Sequence, residues 1–405
     1  MSRVIEINEL NDLSGYRLAW DYLLRQTPGA SFFHTLDWLD VYWRHFGAGQ
    51  RLRVLVVLSN DRPIGIVPLC VRTERYRAGP LRVLTYPLHD WATYYGPIGP
   101  NRTATLLTAM RHVHQSPRDW DLLELRWTDH EQHDRGRTKW AMQAVGFGCD
   151  GQPWATTAVV RLDGTWDEYL ASRSPKWRAN RLRAERRLAQ CGTVTYVRYR
   201  PPGALHGDGD PRWDLWDACQ QVAGRSWQSH STSGTTLTHG SVRPFLAEAH
   251  AAAARRGMLD LNLLWLDGRP IAFGYNYHHE GSVIGLRMGF DARLAATGCG
   301  NVLQARMIQD SFARGDQRYE LGPGTLRFKC RYGTHLETCY RYTHFPPMQL
   351  RTVALRLKRR WDAFWRRRRG AWHRTQSTAS ALACPSRNSF CTAASLARTN
   401  SGPGA

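Results

Sequence analysis

The chain has 405 residues and a formal net charge of +21. A chain of this length exceeds one ordinary hydrophobic core, so we expect two domains with appendages. Hydrophobic residues make up 42% of the chain, which excludes a disordered protein. The charge favours a partner that carries phosphate, whether a cofactor, a nucleic acid or an anionic membrane. Apolar runs such as residues 54–58 are far too short to span a bilayer.

Cysteine usage and the first residues favour a cytoplasmic protein. The nine cysteines are scattered without a C-x-x-C pair, which is typical of reduced thiols. The segment "MSRVIEINEL" has acidic residues and no apolar core, so it does not resemble a signal peptide.

The first 150 residues alternate helices and strands. Apolar spacing predicts a helix over residues 36–46. Residues 52–58 and 64–71 have the pattern of two strands joined by a turn, and a helix over 103–114 and a strand over 121–127 follow. This alternation predicts a sheet covered by helices, an α/β layer structure.

A second unit begins near residue 151 and has a similar composition. It contains two strands around a strongly basic helix, two further helices, three strands, a helix and a short strand. These elements are predicted over residues 154–162, 176–190, 193–199, 212–226, 241–256, 259–266, 270–279, 282–290, 301–315 and 318–321.

Two segments of the chain resemble each other. Residues 53–69, "RVLVVLSNDRPIGIVPL", and residues 261–277, "LNLLWLDGRPIAFGYNY", both contain a strand, an Asp-containing turn, Arg-Pro-Ile and a second strand. Such turns are common in hairpins, so the match alone is compatible with chance. Because both segments also follow a helix, we interpret the similarity as duplication of a domain.

The C-terminal residues differ from the rest of the chain. Residues 350–369 combine an apolar stripe with many basic residues, which predicts an amphipathic helix suited either to an anionic membrane or to docking on the protein. Residues 375–405 are small and polar, and we expect them to be disordered.

Two glycines, Gly298 and Gly300, lie just before the helix predicted over 301–315. A helix N-terminus has unpaired N–H groups and a positive dipole, so it binds phosphate, and glycines let the backbone approach a pyrophosphate. An ordinary turn between a strand and a helix would contain the same residues.

Three strands, a glycine turn, a helix and the strand "RYEL" resemble the acetyl-CoA-binding half of the GNAT acyltransferase superfamily. The family loop Q/R-x-x-G-x-G/A aligns with residues 295–300, which begin with Ala295 and contain both glycines. "FHTLDWLDVYWRHFG", "RPIAFGYNY", "GFDARLAATGCG" and "YELGPGTLRFK" are similar to segments of CelD-like cellulose-biosynthesis acetyltransferases. Those proteins are related to the FemAB peptidoglycan aminoacyltransferases, which contain two GNAT-like domains.

The resemblance implies an α/β fold of tandem GNAT-like domains, with mixed, mostly antiparallel sheets flanked by helices. We expect a degenerate GNAT-like domain over residues 1–150, a catalytic domain over 151–347, a basic helix over 348–374 and a tail over 375–405. In the first domain the glycine segment "YGPIGPNRTATLL" contains prolines, which lack the N–H groups of a phosphate cradle. The second domain is therefore expected to bind acetyl-CoA, through Gly298, Cys299, Gly300 and Asn301.

Acyl transfer needs a donor for the carbonyl oxygen and a route for the acceptor proton. The resemblance implies that backbone near Tyr275 and Asn276 meets the carbonyl. Tyr319 and Glu320 end the short strand, and alternation directs them to opposite faces, so at most one of them lines the site. Glu320 is the candidate base, and Tyr319 is otherwise a buried core residue.

Lys329 aligns with the FemAB lysine that contacts an anionic part of the acceptor or intermediate. It follows the glycines Gly322 and Gly324, which predict a turn at the rim of the site, and we expect the segment "LRFK" to run back along this rim. The alternative is a solvated lysine on a surface strand. No metal is expected, because paired histidines such as His278 and His279 alternate faces and lack a carboxylate at ligand spacing.

Three functions are compatible with these patterns. The first is transfer of an acyl group from acetyl-CoA to an amine or hydroxyl of a small molecule, glycan or envelope precursor, as in exopolysaccharide synthesis. The second is a FemAB-like transfer from aminoacyl-tRNA, and the third is a non-catalytic binding protein. No specific nucleic acid partner is expected for the first function, and the helix over 350–369 suggests contact with the inner face of a membrane.

Overall fold

The computed structural model describes residues 2–77, 79–227, 229, 234–324, 326–347, 350–362 and 364–365. The α-helices of this part of the chain are α1 (Arg17–Arg25), α2 (Leu36–Phe46), α3 (Arg102–Gln115), α4 (Arg137–Ala144), α5 (Trp166–Ala171), α6 (Pro175–Ala189), α7 (Trp213–Arg225), α8 (Arg243–Arg255), α9 (Cys299–Ala313), α10 (Leu326–Lys329) and α11 (residues 350–362).

The strands of the described residues form one sheet of twelve strands in the order β1-β2-β3-β4-β5-β12-β6-β11-β10-β9-β8-β7. They are β1 (Ser2–Ile7), β2 (Arg51–Ser59), β3 (Arg62–Tyr76), β4 (Gly79–Thr85), β5 (Leu122–Asp129), β6 (Asp150–Arg161), β7 (Val194–Tyr199), β8 (Leu259–Leu266), β9 (Arg269–His279), β10 (Ser282–Phe290), β11 (Arg318–Glu320) and β12 (His335–His344).

The two halves of this sheet repeat one topology. Strands β1 to β5 follow one another across the first half, and β7 to β11 do so in the second. The last two strands of each series, β4–β5 and β10–β11, are parallel pairs, with α3 or α9 between them in the chain. The two central strands are exchanged between the halves. Strand β12, which follows the second series in the chain, pairs with β5 of the first, and β6, which follows the first series, pairs with β11 of the second. The predicted tandem, mostly antiparallel α/β fold is confirmed.

The two similar sequence segments occupy equivalent hairpins. In the hairpin of β2 and β3, Leu58 pairs with Pro63 beside a bulge. In the hairpin of β8 and β9, Trp265 pairs with Pro270 beside a bulge. A proline has no N–H to donate, so the ladder is interrupted at the same place in both. The shared register supports duplication rather than chance.

The hydrophobic core is continuous between the halves. The ring of Phe32, before α2, lies 4.7 Å from that of Tyr277 on β9. Trp38 on α2 packs edge-to-face on Phe245 of α8, with the ring centres 5.4 Å apart. Thr35 begins α2 by accepting a hydrogen bond from the backbone of Trp38 at 3.0 Å. Interdomain packing therefore fixes the surfaces that line the centre of the molecule.

Several elements differ from the sequence-based expectation. The segment "LRFK" is the short helix α10 and not a strand. Strands β1, β4 and β12 were not predicted at all. The predicted basic helix is described over residues 350–362 and 364–365, while its remainder and the tail over 375–405 lie outside the described residues. Within the described chain, no helix combines the length and apolar character needed to cross a bilayer.

Candidate active site

Strands β10 and β11 open apart near the centre of the sheet. They pair over only three residues each, and the last pair is Ile284 with Glu320. A bulge follows Gly285 on β10, and β11 ends. A Cβ atom on Gly322, whose φ is +73°, would lie 2.1 Å from the carbonyl oxygen of Gly285. Glycine is therefore required where the chain leaves β11 beside this split.

Glu320 is a buried carboxylate at the split. Its relative exposure is 1%, and neither oxygen has a hydrogen-bond partner among the described residues. Burial disfavours the charged form and raises the pKa of Glu320 to about 8, although the positive charge of Arg318 opposes the shift. A carboxylate with this pKa exchanges protons near neutral pH, as a general base or acid must.

The cation two residues before Glu320, Arg318, is paired with Glu337. Arg318 lies on the same face of β11, two residues away. It donates from both terminal nitrogens to Glu337, at 2.5 and 2.6 Å. Glu337 also contacts the ring of His335 at 2.7 Å. Because the guanidinium of Arg318 forms this two-point pair with Glu337, it does not hydrogen-bond Glu320.

Glu320 lines a cavity of about 490 Å³ between the two halves. One wall consists of β11 and the first residues of β10. The opposite wall comes from the first half, with residues 94–97, the start of α3 and the segment after β5. Small-molecule sites have volumes of roughly 300–1,000 Å³. The cavity is therefore large enough for a small molecule.

Other buried polar atoms in this cavity have no partner among the described residues. They are the hydroxyls of Tyr95 and Thr128, Nε of Arg102 and Oδ2 of Asp134. Each unsatisfied atom of this kind costs about 1–3 kcal/mol. Ordered water or a ligand is a common partner for buried polar groups of this kind. The sequence-based search missed all four residues, because they come from separate elements of the first half.

Tyr94 is a further residue that the sequence did not identify. It lines the cavity, and its φ of +45° is unusual for a residue with a side chain. Its hydroxyl is hydrogen-bonded to that of Thr157 at 2.7 Å. Strained backbone of this kind often occurs at functional sites. The adjacent tyrosines before the segment "GPIGP" were the available signal.

Tyr319 faces away from Glu320, as alternation predicted. Its hydroxyl accepts from Asn276 at 3.0 Å and donates to the sulfur of Met307 on α9 at 3.4 Å. Tyr319 is therefore placed in the core. Tyr275 is also fully buried, and β9 pairs with β8 and β10 along residues 275–277. Ligand binding by Tyr275 and Asn276 stays a prediction that this geometry does not support.

Lys329 lies beside the split, at the end of α10. Its ammonium donates to the carbonyl oxygens of Gly322 at 2.7 Å and Pro323 at 2.5 Å. Burial lowers the pKa of Lys329 to about 7. The negative charge of Glu320 opposes this shift, and the positive charge of Arg287 adds to it. Lys329 is thus a partly buried cap on the turn after β11, and one of its three donors remains for a ligand.

The glycines before α9 are explained by packing within the protein. A Cβ atom on Gly300 would lie 2.8 Å from the ring of Phe290. A Cβ atom on Gly298 would lie 3.0 Å from that of Ala184 on α6. Cys299, between the two glycines, is fully buried. Helix α6 thus packs against the start of α9 at Gly298.

The first turn of α9 is also held by Tyr332, which follows α10 in the chain. The hydroxyl of Tyr332 contacts the side-chain oxygen of Asn301 at 3.1 Å. Trp177 of α6 packs edge-to-face on Tyr332, with the ring centres 5.4 Å apart. Residues 298–301 are thus packed against α6, β10 and Tyr332. Their role in cofactor binding stays a prediction.

The first half has a counterpart of Glu320. The ladder registers make Glu124 on β5 equivalent to Glu320 on β11, and a leucine follows each of them. Glu124 is fully buried, but it accepts from Arg126 at 2.6 Å, Thr343 at 2.8 Å and Arg359 at 2.5 Å. The two arginines hold the pKa of Glu124 well below its usual range, despite burial. Only the second-half carboxylate is therefore left unpaired.

No group of three or more His, Cys, Asp or Glu side chains suited to a metal ion occurs among the described residues.

No curated protein matches the sequence. Residues 175–330 match the family model of the acetyltransferase (GNAT) domain. The matches do not extend to the narrower CelD-like family.

Two solved structures resemble most of the chain. FemX matches with a TM-score of 0.56 and 11% identity, over 85% of this chain and 97% of its own. The C-terminal domain of a protein described as a lysylphosphatidylglycerol synthetase from Agrobacterium fabrum matches with a TM-score of 0.51 and 13% identity, over 86% and 95%. At these identities the similarity concerns the fold alone. Residues 175–330 are thus similar to the acetyltransferase (GNAT) domain, and the fold of the chain is similar to those of these two structures.

Proposed function

We propose that this protein is an acyltransferase in which Glu320 is the general base. The observation that carries the proposal is a buried carboxylate without a hydrogen-bond partner among the described residues, at the split of a GNAT sheet and in the wall of a cavity. Burial of such a group is costly unless a ligand uses it. Proton transfer with an acceptor in the cavity supplies that use.

The acceptor is proposed to carry a nucleophilic amine or hydroxyl against Glu320. The ionised carboxylate takes the proton of the nucleophile as the new bond to the acyl carbon forms, and the resulting acid returns a proton to the leaving group. Lys329 offers its remaining N–H to the negative charge that develops on the acyl oxygen. The bidentate pair of Arg318 with Glu337 keeps the base free.

The acceptor class follows from the rest of the cavity. The free hydroxyls of Tyr95 and Thr128, with the nearby guanidinium of Arg102 and carboxylate of Asp134, offer donors and acceptors in one small volume. A sugar, amino sugar or similar polyhydroxylated precursor satisfies such a mixed set. We therefore propose an acceptor from glycan or cell-envelope synthesis.

The donor is proposed to be an acyl thioester, since GNAT domains generally use acetyl-CoA. The packing of Gly298 against α6 and of Gly300 against Phe290 of β10 favours a second candidate, an aminoacyl ester as in the FemAB transferases, because such a donor does not require a phosphate cradle at these glycines. Mass spectrometry of ligand that co-purifies with the protein distinguishes the two donors.

The test compares wild type with Glu320→Gln, using acetyl-CoA or aminoacyl-tRNA and a panel of amino sugars. We expect turnover to fall by roughly 100- to 10,000-fold, the usual contribution of a general base. In wild type, kcat/KM should follow a bell-shaped pH profile with its maximum between about 7 and about 8, because Glu320 must be ionised while Lys329 stays protonated. The variant should lose the rising limb of this profile. An unchanged rate in folded Glu320→Gln would exclude the proposed role.

A further inference from the structure

Helix α11 is attached to the first half by one face. Among its described residues, Thr352, Leu355 and Arg359 are buried. Leu355 packs with Leu81 of β4 and Leu122 of β5. These three positions of α11 are spaced by three and four residues, so they share one side of a helix with about 3.6 residues per turn.

The attachment includes a buried ion pair. Arg359 donates to the carboxylate of Glu124 at 2.5 Å and to the hydroxyl of Thr343 at 3.2 Å. Its guanidinium also lies 5.6 Å from the ring centre of Phe345. Removing one partner of a buried pair leaves the other charge buried and unpaired, which is strongly unfavourable. The orientation of α11 on the sheet is therefore fixed.

The opposite face of α11 is apolar and exposed. Leu350 is 88% exposed, Leu357 61% and Trp361 63%, and Val353 is exposed as well. These residues are again three or four apart and form one stripe. An exposed stripe of large side chains on an otherwise docked helix indicates a surface that contacts something else.

Basic residues border this stripe on both sides. Around the helix, Arg356 and Arg360 lie on one side of the stripe, and Arg351 and Lys358 lie on the other. Arg351, Arg356 and Arg360 are exposed, and Lys358 forms an exposed pair with Asp362 at 3.0 Å. The surface of α11 therefore presents apolar side chains between two rows of cations.

We propose that α11 is an interfacial helix that places the protein on an anionic lipid surface. The apolar stripe enters the boundary between headgroups and acyl chains, and the flanking arginines meet lipid phosphates. Trp361 suits this boundary, since its ring has an apolar body and a polar N–H. One face of α11 is held by the sheet, and no helix of the described residues combines the length and apolar character needed to cross a bilayer, so α11 is placed along the membrane surface.

The charge pattern favours lipid over a second protein chain. Cations along both borders of a narrow apolar stripe complement a flat anionic surface, whereas the core of a protein interface is poor in charge. The proposal is independent of the acyl transfer chemistry, because the stripe and the candidate active site share no residue.

The test is sedimentation of the full-length protein with phosphatidylcholine vesicles that contain or lack phosphatidylglycerol. Wild type should bind the anionic vesicles at low salt and should bind the neutral ones much less. Leu357→Glu should weaken binding by about tenfold or more, because it removes a large apolar side chain and adds a repelled charge. Leu18→Glu, at a leucine on α1 that is 86% exposed, is the matched control and should bind as wild type does.

A second variant separates charge from apolar contact. Arg356→Glu with Arg360→Glu should weaken binding and make it less dependent on salt. Failure of wild type to bind anionic vesicles, or equal binding by Leu357→Glu, would overturn the proposal. Size-exclusion chromatography with light scattering completes the test. A dimer that Leu357→Glu dissociates would assign the stripe to a second copy of the chain and would also overturn it.

Discussion

Replacement of Glu320 by Gln should stabilise the folded protein at high pH. The pKa of Glu320 is raised from 4.5 to about 8 by burial, so the folded state holds the proton more tightly than the unfolded chain. A raised carboxyl pKa makes folding less favourable as pH increases from about 4.5 to about 8. The shift of about 3.5 units corresponds to at most about 5 kcal/mol, at about 1.4 kcal/mol per unit. Glutamine carries no charge and avoids this cost.

The measurement is urea unfolding of wild type and Glu320→Gln at about pH 5 and about pH 9. At the lower pH the two proteins should have similar free energies of unfolding, because Glu320 is largely protonated. At the higher pH the variant should be more stable by up to about 5 kcal/mol. If the difference between the two proteins does not change with pH, Glu320 is not a perturbed buried carboxyl, and the reasoning for its catalytic role fails with it.

The remaining predictions concern three other positions. Glu124 is the equivalent carboxylate in the first half, and Glu124→Gln should destabilise the protein at neutral pH by about 3–5 kcal/mol because it breaks the pair with Arg359. Urea unfolding should show that this loss of stability disappears in acid, where Glu124 of the wild type is protonated as well. Lys329→Met should lower turnover by roughly 100-fold through loss of one donor, with a stability loss of about 1–3 kcal/mol from the carbonyls it leaves unpaired. Gly300→Asp should lower the melting temperature measured by circular dichroism, because its Cβ meets the ring of Phe290, and an unchanged melting temperature would contradict this packing.

Local pattern was sufficient to predict most elements and the tandem arrangement. Apolar spacing located helices such as α2, and apolar runs bounded by turn residues located strands such as β8 and β9. The repeated Arg-Pro-Ile segment indicated duplication because both copies follow a helix, and both hairpins have a bulge at the same ladder position. Each of these features depends on residues close together in the sequence.

Contacts between distant segments could not be predicted in this way. The exchange of β6 and β12 depends on pairing between halves, and no local pattern encodes which neighbour a strand takes. Gly298 and Gly300 resembled a phosphate loop, yet the side chains that occupy their surroundings, Ala184 and Phe290, belong to other elements. The short helix α10 was not predicted, because the turn after β11 folds back and is capped by Lys329.

The signal for the site was nevertheless present in the repeat. Aligned by register, "LLEL" of β5 and "RYEL" of β11 place a glutamate at the same position of each half. In the first half an arginine follows two residues later and α11 delivers a second, so Glu124 is neutralised. In the second half Gly322 stands where Arg126 stands in the first, and Glu320 remains unpaired among the described residues. Two copies of one fold have thus acquired opposite electrostatics at one position, so one carboxylate fastens α11 to the sheet and the other remains able to transfer a proton.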